Sequence, residues 1–304
     1  MSRSDPKYYI GTAGWSYKDW EGIVYPAKKG AGFHPLVFLA RYINIVEINS
    51  TYYRPPALRI SLSWIKRVGA YPDFLFTVKL HQIFTHQREG FSQKDADEFK
   101  TGIEPLRAHN RLAAILLQFP WSFFRSPHHE DYLIRLFRMF NDFPLALEIR
   151  HSSWESPAFF NLLSEHKVSF CNIDQPVIGK SIKPTAIVTN PELSYIRLHG
   201  RNYKNWFSEK AGRDERYNYL YSRDELDEWI ERIKNLGKKS QKVVVITNNH
   251  YRGQALANAL QIKNMVTQEK LDIPLNLLEQ YPDLKEIVKK IKSGQMDLFD
   301  KEDN

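Results

Sequence analysis

The sequence predicts a single (β/α)8 barrel with a C-terminal helical extension and a short tail. Three observations carry that prediction. Eight short β-rich runs recur along the 304 residues. Each run ends in polar residues. The segments between runs are long enough for the crossover that a parallel strand pair requires.

The first run is Tyr9–Trp15 (YIGTAGW), followed by an aromatic loop and a short helical stretch at Pro35–Arg41. Ile45–Thr51 (IVEINST) leads to a helix over Ala57–Val68. Phe74–His81 (FLFTVKLH) leads to Lys94–Leu106, where Ala96, Phe99, Ile103 and Leu106 recur at helical spacing. Ala113–Pro120 (AAILLQFP) precedes His129–Phe140, with Leu133, Leu136, Phe137 and Phe140 on one stripe. Leu145–His151 (LALEIRH) precedes Pro157–His166, whose proline suits a first turn. Val168–Asp174 (VSFCNID) is followed by a connection without a convincing helix. Tyr195–Gly200 (YIRLHG) precedes Arg223–Leu236, where Ser222 and Glu225 form a capping box and Gly237 supplies a stop. Val243–His250 (VVVITNNH) and a helix over Gly253–Val266 complete eight units. A barrel accommodates such a repeat best. An open doubly wound sheet would call for a glycine-rich dinucleotide turn after the first run, and GTAGWSY lacks that spacing. The expected organisation is a barrel over residues 8–266, an extension over 267–292 and a tail over 293–304.

Composition sets the outer bounds. Hydrophobic residues make up 42% of the chain, enough for a large core. The single cysteine, Cys171, excludes an intramolecular disulfide. The N-terminal MSRSDPKYYI has no apolar run, and no stretch approaches the roughly 18 apolar residues of a membrane span. A soluble, cytoplasmic protein without membrane partners is expected. A formal net charge of +8 favours anionic partners, small molecules or nucleic acid.

Alternation assigns strand faces. The outer face of a barrel meets helices and should be apolar. Val46 and Ile48 then face out, so Glu47 and Asn49 point inward. Leu147 and Ile149 face out, so Glu148 and Arg150 point inward; likewise Arg197 and His199 lie between Ile196 and Leu198. The same rule directs Lys79, Gln118, Asn172 and Asp174 inward and Cys171 outward. In the eighth run either Thr247 with Asn249 or Asn248 with His250 points in. All these polar residues lie at the C-terminal ends of strands, where such barrels keep their chemistry. The competing reading is a buried salt-bridge lattice, for instance Glu148 with Arg197.

Several motifs, in order, are GTAGWSYKDWEGIVYP, VEINSTYYRPP, TVKLHQIFTH, LLQFP, LEIRHSSW, RLHGR and TNNHYRGQALANAL. Through them the chain resembles the YecE-like family, a group of unknown function also labelled DUF number 72, over roughly residues 8–262. The resemblance implies a TIM barrel and supplies no reaction.

Within the inward set, Glu47 and Glu148 are candidates for an acid–base or metal-ligand pair, and His199 for a proton carrier. Arg150, Arg197 and Lys79 suit recognition of a phosphate or carboxylate. Asn49, Gln118, Asp174 and Asn249 complete the candidate substrate contacts. Trp15 and Tyr17 in the first loop, and Trp206 in the aromatic and basic loop after the seventh strand, could stack a ring. No nucleotide cofactor is expected. A divalent metal is compatible with the carboxylates, although the arginines oppose a dense cation site. His86 and His151, just past strands 3 and 5, could serve as ligand or base, or could make structural hydrogen bonds.

The tail contains Gln295–Phe299, QMDLF. Gln295, Met296, Leu298 and Phe299 resemble the peptide by which bacterial proteins dock on the DNA sliding clamp. Together these features lead to an expectation of an enzyme acting on a phosphate-containing substrate, nucleic acid included. A sugar or sugar-phosphate isomerase or hydrolase, and a non-catalytic binding module, are the alternatives.

Overall fold

The computed structural model describes residues 5–204, 206 and 213–289. Eight parallel strands close into a barrel in chain order. They are β1 (Lys7–Ala13), β2 (Ile45–Ile48), β3 (Leu75–Lys79), β4 (Leu112–Gln118), β5 (Leu145–Glu148), β6 (Val168–Asp174), β7 (Leu193–Leu198) and β8 (Lys242–Thr247). Closure is made by β1 against β8, with Tyr9 opposite Val244 and Gly11 opposite Ile246. No strand is left as an edge, so every ladder group is paired. On its other side β1 meets β2 with Gly11 opposite Ile45. A Cβ on Gly11 would lie 1.8 Å from the Ile45 carbonyl oxygen, so this close approach requires glycine.

The surrounding helices are α1 (Pro35–Leu39), α2 (Leu58–Arg67), α3 (Gln93–Ala108), α4 (Pro127–Met139), α5 (Pro157–Glu165), α6 (Arg213–Arg216), α7 (Arg223–Gly237), α8 (Gln254–Thr267) and α9 (Leu275–Gln280). Their starts follow local chemistry. Pro127 and Pro157 open α4 and α5, and the hydroxyls of Ser126 and Ser156 accept from the backbone N–H groups of His129 and Phe159. Ser222 and Glu225 form the expected capping box on α7. Gly237 ends α7, but as its last helical residue and not in a left-handed conformation. Its smallness makes room for β1, because a Cβ there would sit 2.5 Å from the Tyr8 hydroxyl. The expected stripe of α4, Leu133, Leu136 and Phe137, is buried with Phe140 just beyond the helix. Each such side chain contributes about 1.5–3 kcal/mol through burial.

The β6–β7 connection carries no helix, in keeping with its three prolines, Pro176, Pro184 and Pro191. Among the described residues, the C-terminal extension has α9 and a 3-10 turn over Pro282–Glu286, tied back by a bridge between Leu271 and Val288. Among the described residues, no helix is long and apolar enough to cross a membrane. Strands β2, β5 and β7 stop at Ile48, Glu148 and Leu198. Asn49, Arg150 and His199 therefore sit just past the strand ends, at the barrel mouth.

Candidate functional site

Three strands supply an ionic lattice at the barrel mouth. Arg197 of β7 spans two carboxylates. Its Nη2 donates to Glu47 Oε1 at 2.7 Å, and its Nη1 donates to Glu148 Oε2. Arg150 donates to the other oxygen of Glu148, from Nε at 3.0 Å and Nη2 at 2.8 Å. The Tyr195 hydroxyl donates to Glu47 Oε2 at 3.0 Å and lies 2.9 Å from Thr77 Oγ1. Both carboxylates are fully buried. Burial opposes charge on Glu148, yet the guanidinium groups of Arg197 and Arg150 outweigh it and hold the carboxyl well below its usual range. Glu47 and Glu148 are thus bound to cations on the protein itself. That donor set does not fit a metal ion, and no group of three or more His, Cys, Asp or Glu suited to one exists among the described residues.

His199 lies behind this lattice. Its Nδ1 accepts from the Asn248 amide at 2.9 Å, so its Nε2 carries the proton, 3.3 Å from Glu148 Oε1. Burial, against the pull of Glu148 and aided by Arg150 and Arg197, lowers its pKa to about 3. These surroundings favour the neutral ring. Trp206 packs edge-on over it, with ring centroids 6.1 Å apart, and Arg150 lies 5.6 Å from the Trp206 ring.

Above the lattice opens a cavity of about 410 Å³. Lys79, Arg150 and Arg197 line its charged side, and Asn49, Gln118 and Asn248 add amide groups. Trp15, Tyr17, Tyr52, Tyr53, Tyr217 and His250 form its walls. Tyr17 and His250 stack with centroids 4.5 Å apart and planes within 9°. Lys79 Nζ lies 4.2 Å from the centre of the Tyr52 ring. Desolvation first, then the charges of Arg197 and Arg150, lower the Lys79 pKa to about 8, against the opposing pull of Glu47 and Glu148. His86, edge-on to Tyr52 at 5.0 Å, is likewise lowered to about 4 by burial and by Lys79. His151 instead hydrogen-bonds Ser153 in its own loop.

The cavity therefore gathers Trp15, Tyr17, Asn49, Lys79, Gln118, Arg150 and Arg197 from the expected set. Glu47, Glu148 and His199 join them from below, and Trp206 from the side. Four expected facings are corrected, those of Asp174, Asn172, Cys171 and Asn249. Asp174 points outward, where its carboxylate accepts from Trp229 Nε1 of α7 at 2.6 Å and from Arg201 Nε at 3.0 Å. Burial pushes its pKa up despite those partners. Asn172 points outward too, holding the β6–β7 connection through Thr185 and Ile187. Their buried neighbour Cys171 faces the barrel interior instead, where the charges of Glu148, Arg197 and Glu47 act on its thiol. The strand alternates in the reverse sense, because Asn172 and Asp174 serve the loop and helix outside, on the face where Phe170 packs against Phe160 of α5. Asn249 also faces out, donating to the Tyr219 carbonyl and to Asn258 of α8, each at 2.8 Å. Asn248 and His250 take the inward places on β8.

Sequence reasoning missed Tyr195, Tyr52 and Tyr53 as site residues. Tyr195 was findable, since it shares a strand face with Arg197 and His199. Tyr52 and Tyr53 lie in the 3-10 turn after β2 and its cap, where no period assigns a face. Gln295, Met296, Leu298 and Phe299 lie outside the described residues.

The profile of a family described as "Protein of unknown function DUF72" matches residues 9–283. The chain is 32% identical over 278 residues to the UPF0759 protein YunF of Bacillus subtilis (strain 168), covering 86% of this chain and 95% of that protein. Among solved structures, a DUF72 family protein of Thermotoga maritima MSB8 superposes with a TM-score of 0.76 at 36% identity, over 86% of this chain and 99% of the other. A DUF72 family protein of Enterococcus faecalis V583 gives a TM-score of 0.76 at 26% identity, over 88% and 98%. The match spans the barrel and its mouth, and the chain belongs to the DUF72 family.

Proposed function

We propose that this chain is an enzyme that binds a small phosphorylated compound in the barrel mouth. The observation that supports this reading is the charge of the cavity. Lys79, Arg150 and Arg197 face it, while both nearby carboxylates are turned away and occupied. Three cations against two carboxylates leave one net positive charge for an anion. Arg150 lines the cavity with its Nη1 unbonded among the described residues. That donor suits an oxygen atom of a phosphate. The aromatic walls and amides suit a ring bearing hydroxyl groups. A volume of about 410 Å³ suits a sugar phosphate or a single nucleotide.

In this reading Glu47 and Glu148 hold the arginines in place, and acid–base work near neutral pH falls to Lys79. A thermal-shift panel of sugar phosphates, mononucleotides and their unphosphorylated counterparts, with and without divalent metal, tests it. The reading predicts stabilisation that depends on the phosphate group and disappears in Arg150→Met. Equal shifts with and without phosphate would overturn it.

A separate proposal concerns the tail. The pattern QMDLF supports docking on a bacterial sliding clamp, with Leu298 and Phe299 filling an apolar pocket and Gln295 fixing orientation. Titration of the full chain against a clamp, with Gln295→Ala and Phe299→Ala controls, should show micromolar binding lost in both variants. No binding at high micromolar concentration would dispose of it.

A further inference from the structure

Lys79 differs from the other cations of the mouth. It ends β3 and its side chain lines the cavity. No carboxylate oxygen lies within 4 Å of its ammonium among the described residues, although two buried carboxylates stand nearby, because Arg197 and Arg150 take their oxygens. Its closest partner is the face of the Tyr52 ring. A half-buried amine, open to a cavity, flanked by guanidinium groups and with no carboxylate in direct contact among the described residues, has the placement of an amine nucleophile. We infer that Lys79 forms an imine with a carbonyl substrate, and that the substrate class is phosphorylated aldehydes and ketones. The phosphate half of this inference rests on the proposed function; the amine half does not.

The step balances because the proton that the Lys79 ammonium first releases to solvent is taken back when water leaves. The neutral Nζ lone pair attacks the carbonyl carbon, forming the C–N bond as the C=O π pair moves to oxygen. That oxygen gains a proton as nitrogen loses one. The C–O bond then breaks with loss of water, using the proton taken back from solvent, and leaves a protonated imine. The cation so formed draws electrons from the adjacent carbon, which favours loss of a proton or cleavage of a C–C bond there. The groups facing Lys79 are Glu47 of β2, Tyr52 beyond it, His86 beyond β3, Glu148 and Arg150 at the end of β5, and Arg197 of β7. Glu148 is held ionised by its guanidinium partners. The amine itself therefore sets the pH dependence of trapping, with a midpoint near 8.

The test is reductive trapping on the full chain. Dihydroxyacetone phosphate and cyanoborohydride are added between pH 6.5 and 9, and adducts are counted by intact mass and located by peptide mapping. One adduct at Lys79 is expected, at least tenfold faster than at any surface lysine and rising with pH through about 8. Lys79→Arg, which keeps the cation, should lose that adduct and retain the fold by circular dichroism. A parallel series uses propanal, which carries no phosphate. Selective trapping of Lys79 by propanal without preference for the phosphorylated probe would uphold the amine and overturn the phosphate site. Phosphate-dependent binding by thermal shift, with labelling spread over surface lysines at rates unchanged in Lys79→Arg, would uphold the site and overturn the inference.

Discussion

The mouth of the barrel holds two acidic clusters of similar composition that do different work. The inner one joins Glu47, Glu148, Arg150 and Arg197 beneath a cavity. The outer one joins Asp174, Arg201, Glu225 and Trp229 between β6 and α7. In the outer cluster Asp174 is met by Arg201 and by an indole N–H, and it fastens a helix to the barrel. In the inner cluster the carboxylates are satisfied, but Arg150 keeps one donor in reserve beside the cavity. The lesson is that a buried carboxylate does not mark a catalytic acid. What marks a site is a surplus of polar groups left facing open space.

The largest effect expected from breaking this contrast is on stability. Glu148→Gln removes the charge that both arginines share, leaving Arg150 without a carboxylate and Arg197 with Glu47 alone, at a cost of about 3–5 kcal/mol. Denaturant unfolding should show it, and adding Arg197→Met should not recover the loss, because the buried Glu47 then loses its guanidinium. A cost below about 1 kcal/mol for the single variant would mean that the lattice is not a unit. Asp174→Asn should cost less, about 1–2 kcal/mol, because the amide oxygen can still accept from Trp229. That variant should leave phosphate affinity unchanged, which separates the outer cluster from the inner.

The next effect concerns Lys79. Its pKa is lowered in the folded protein to about 8, so above that value the unfolded chain holds a proton that the folded chain has lost. Wild-type stability should therefore gain a rising contribution from pH 8 to about 10.5. Lys79→Met should be more stable than wild type by on the order of 2 kcal/mol at pH 7, with the gain shrinking across that window. An unchanged difference from pH 7 to 10.5 would show that Lys79 is not desolvated.

The smallest effect is at acid pH. His199 is held neutral down to about 3, so from about pH 6.5 downward the unfolded chain binds a proton that the folded chain refuses. Stability should fall as pH drops through that range, and His199→Gln should flatten the slope. An unaltered slope would place the acid sensitivity elsewhere, with His86 and Glu148 the next groups to test.

The barrel was legible in the sequence because its signal repeats. Eight runs with crossover-length gaps admit few other closed arrangements, and apolar pairs such as Val46 with Ile48 point the intervening Glu47 inward. That rule assumes the exterior is apolar. On β6 it is not, because the β6–β7 connection has no helix and its backbone needs Asn172 as a partner, while Trp229 needs Asp174. On β8 the run TNN offers no apolar residue to fix the face, and only α8, through Asn258, shows that Asn249 turns outward. The chemistry was less legible than the location. Sequence can bring Glu148 and His199 to one place, but which oxygen meets which guanidinium is a matter of side-chain geometry, and that geometry occupies the carboxylates.

The central claim is that the inner cluster presents an anion site and the outer one does not. Titration calorimetry of ribose 5-phosphate and of ribose against wild type, Arg150→Met and Asp174→Asn tests it most directly. The account predicts that only the phosphorylated sugar binds well, that Arg150→Met weakens it by about 10- to 100-fold, a loss of ~1.5–3 kcal/mol, and that Asp174→Asn binds as wild type does. Equal binding of ribose and its phosphate, or full affinity in Arg150→Met, would contradict it.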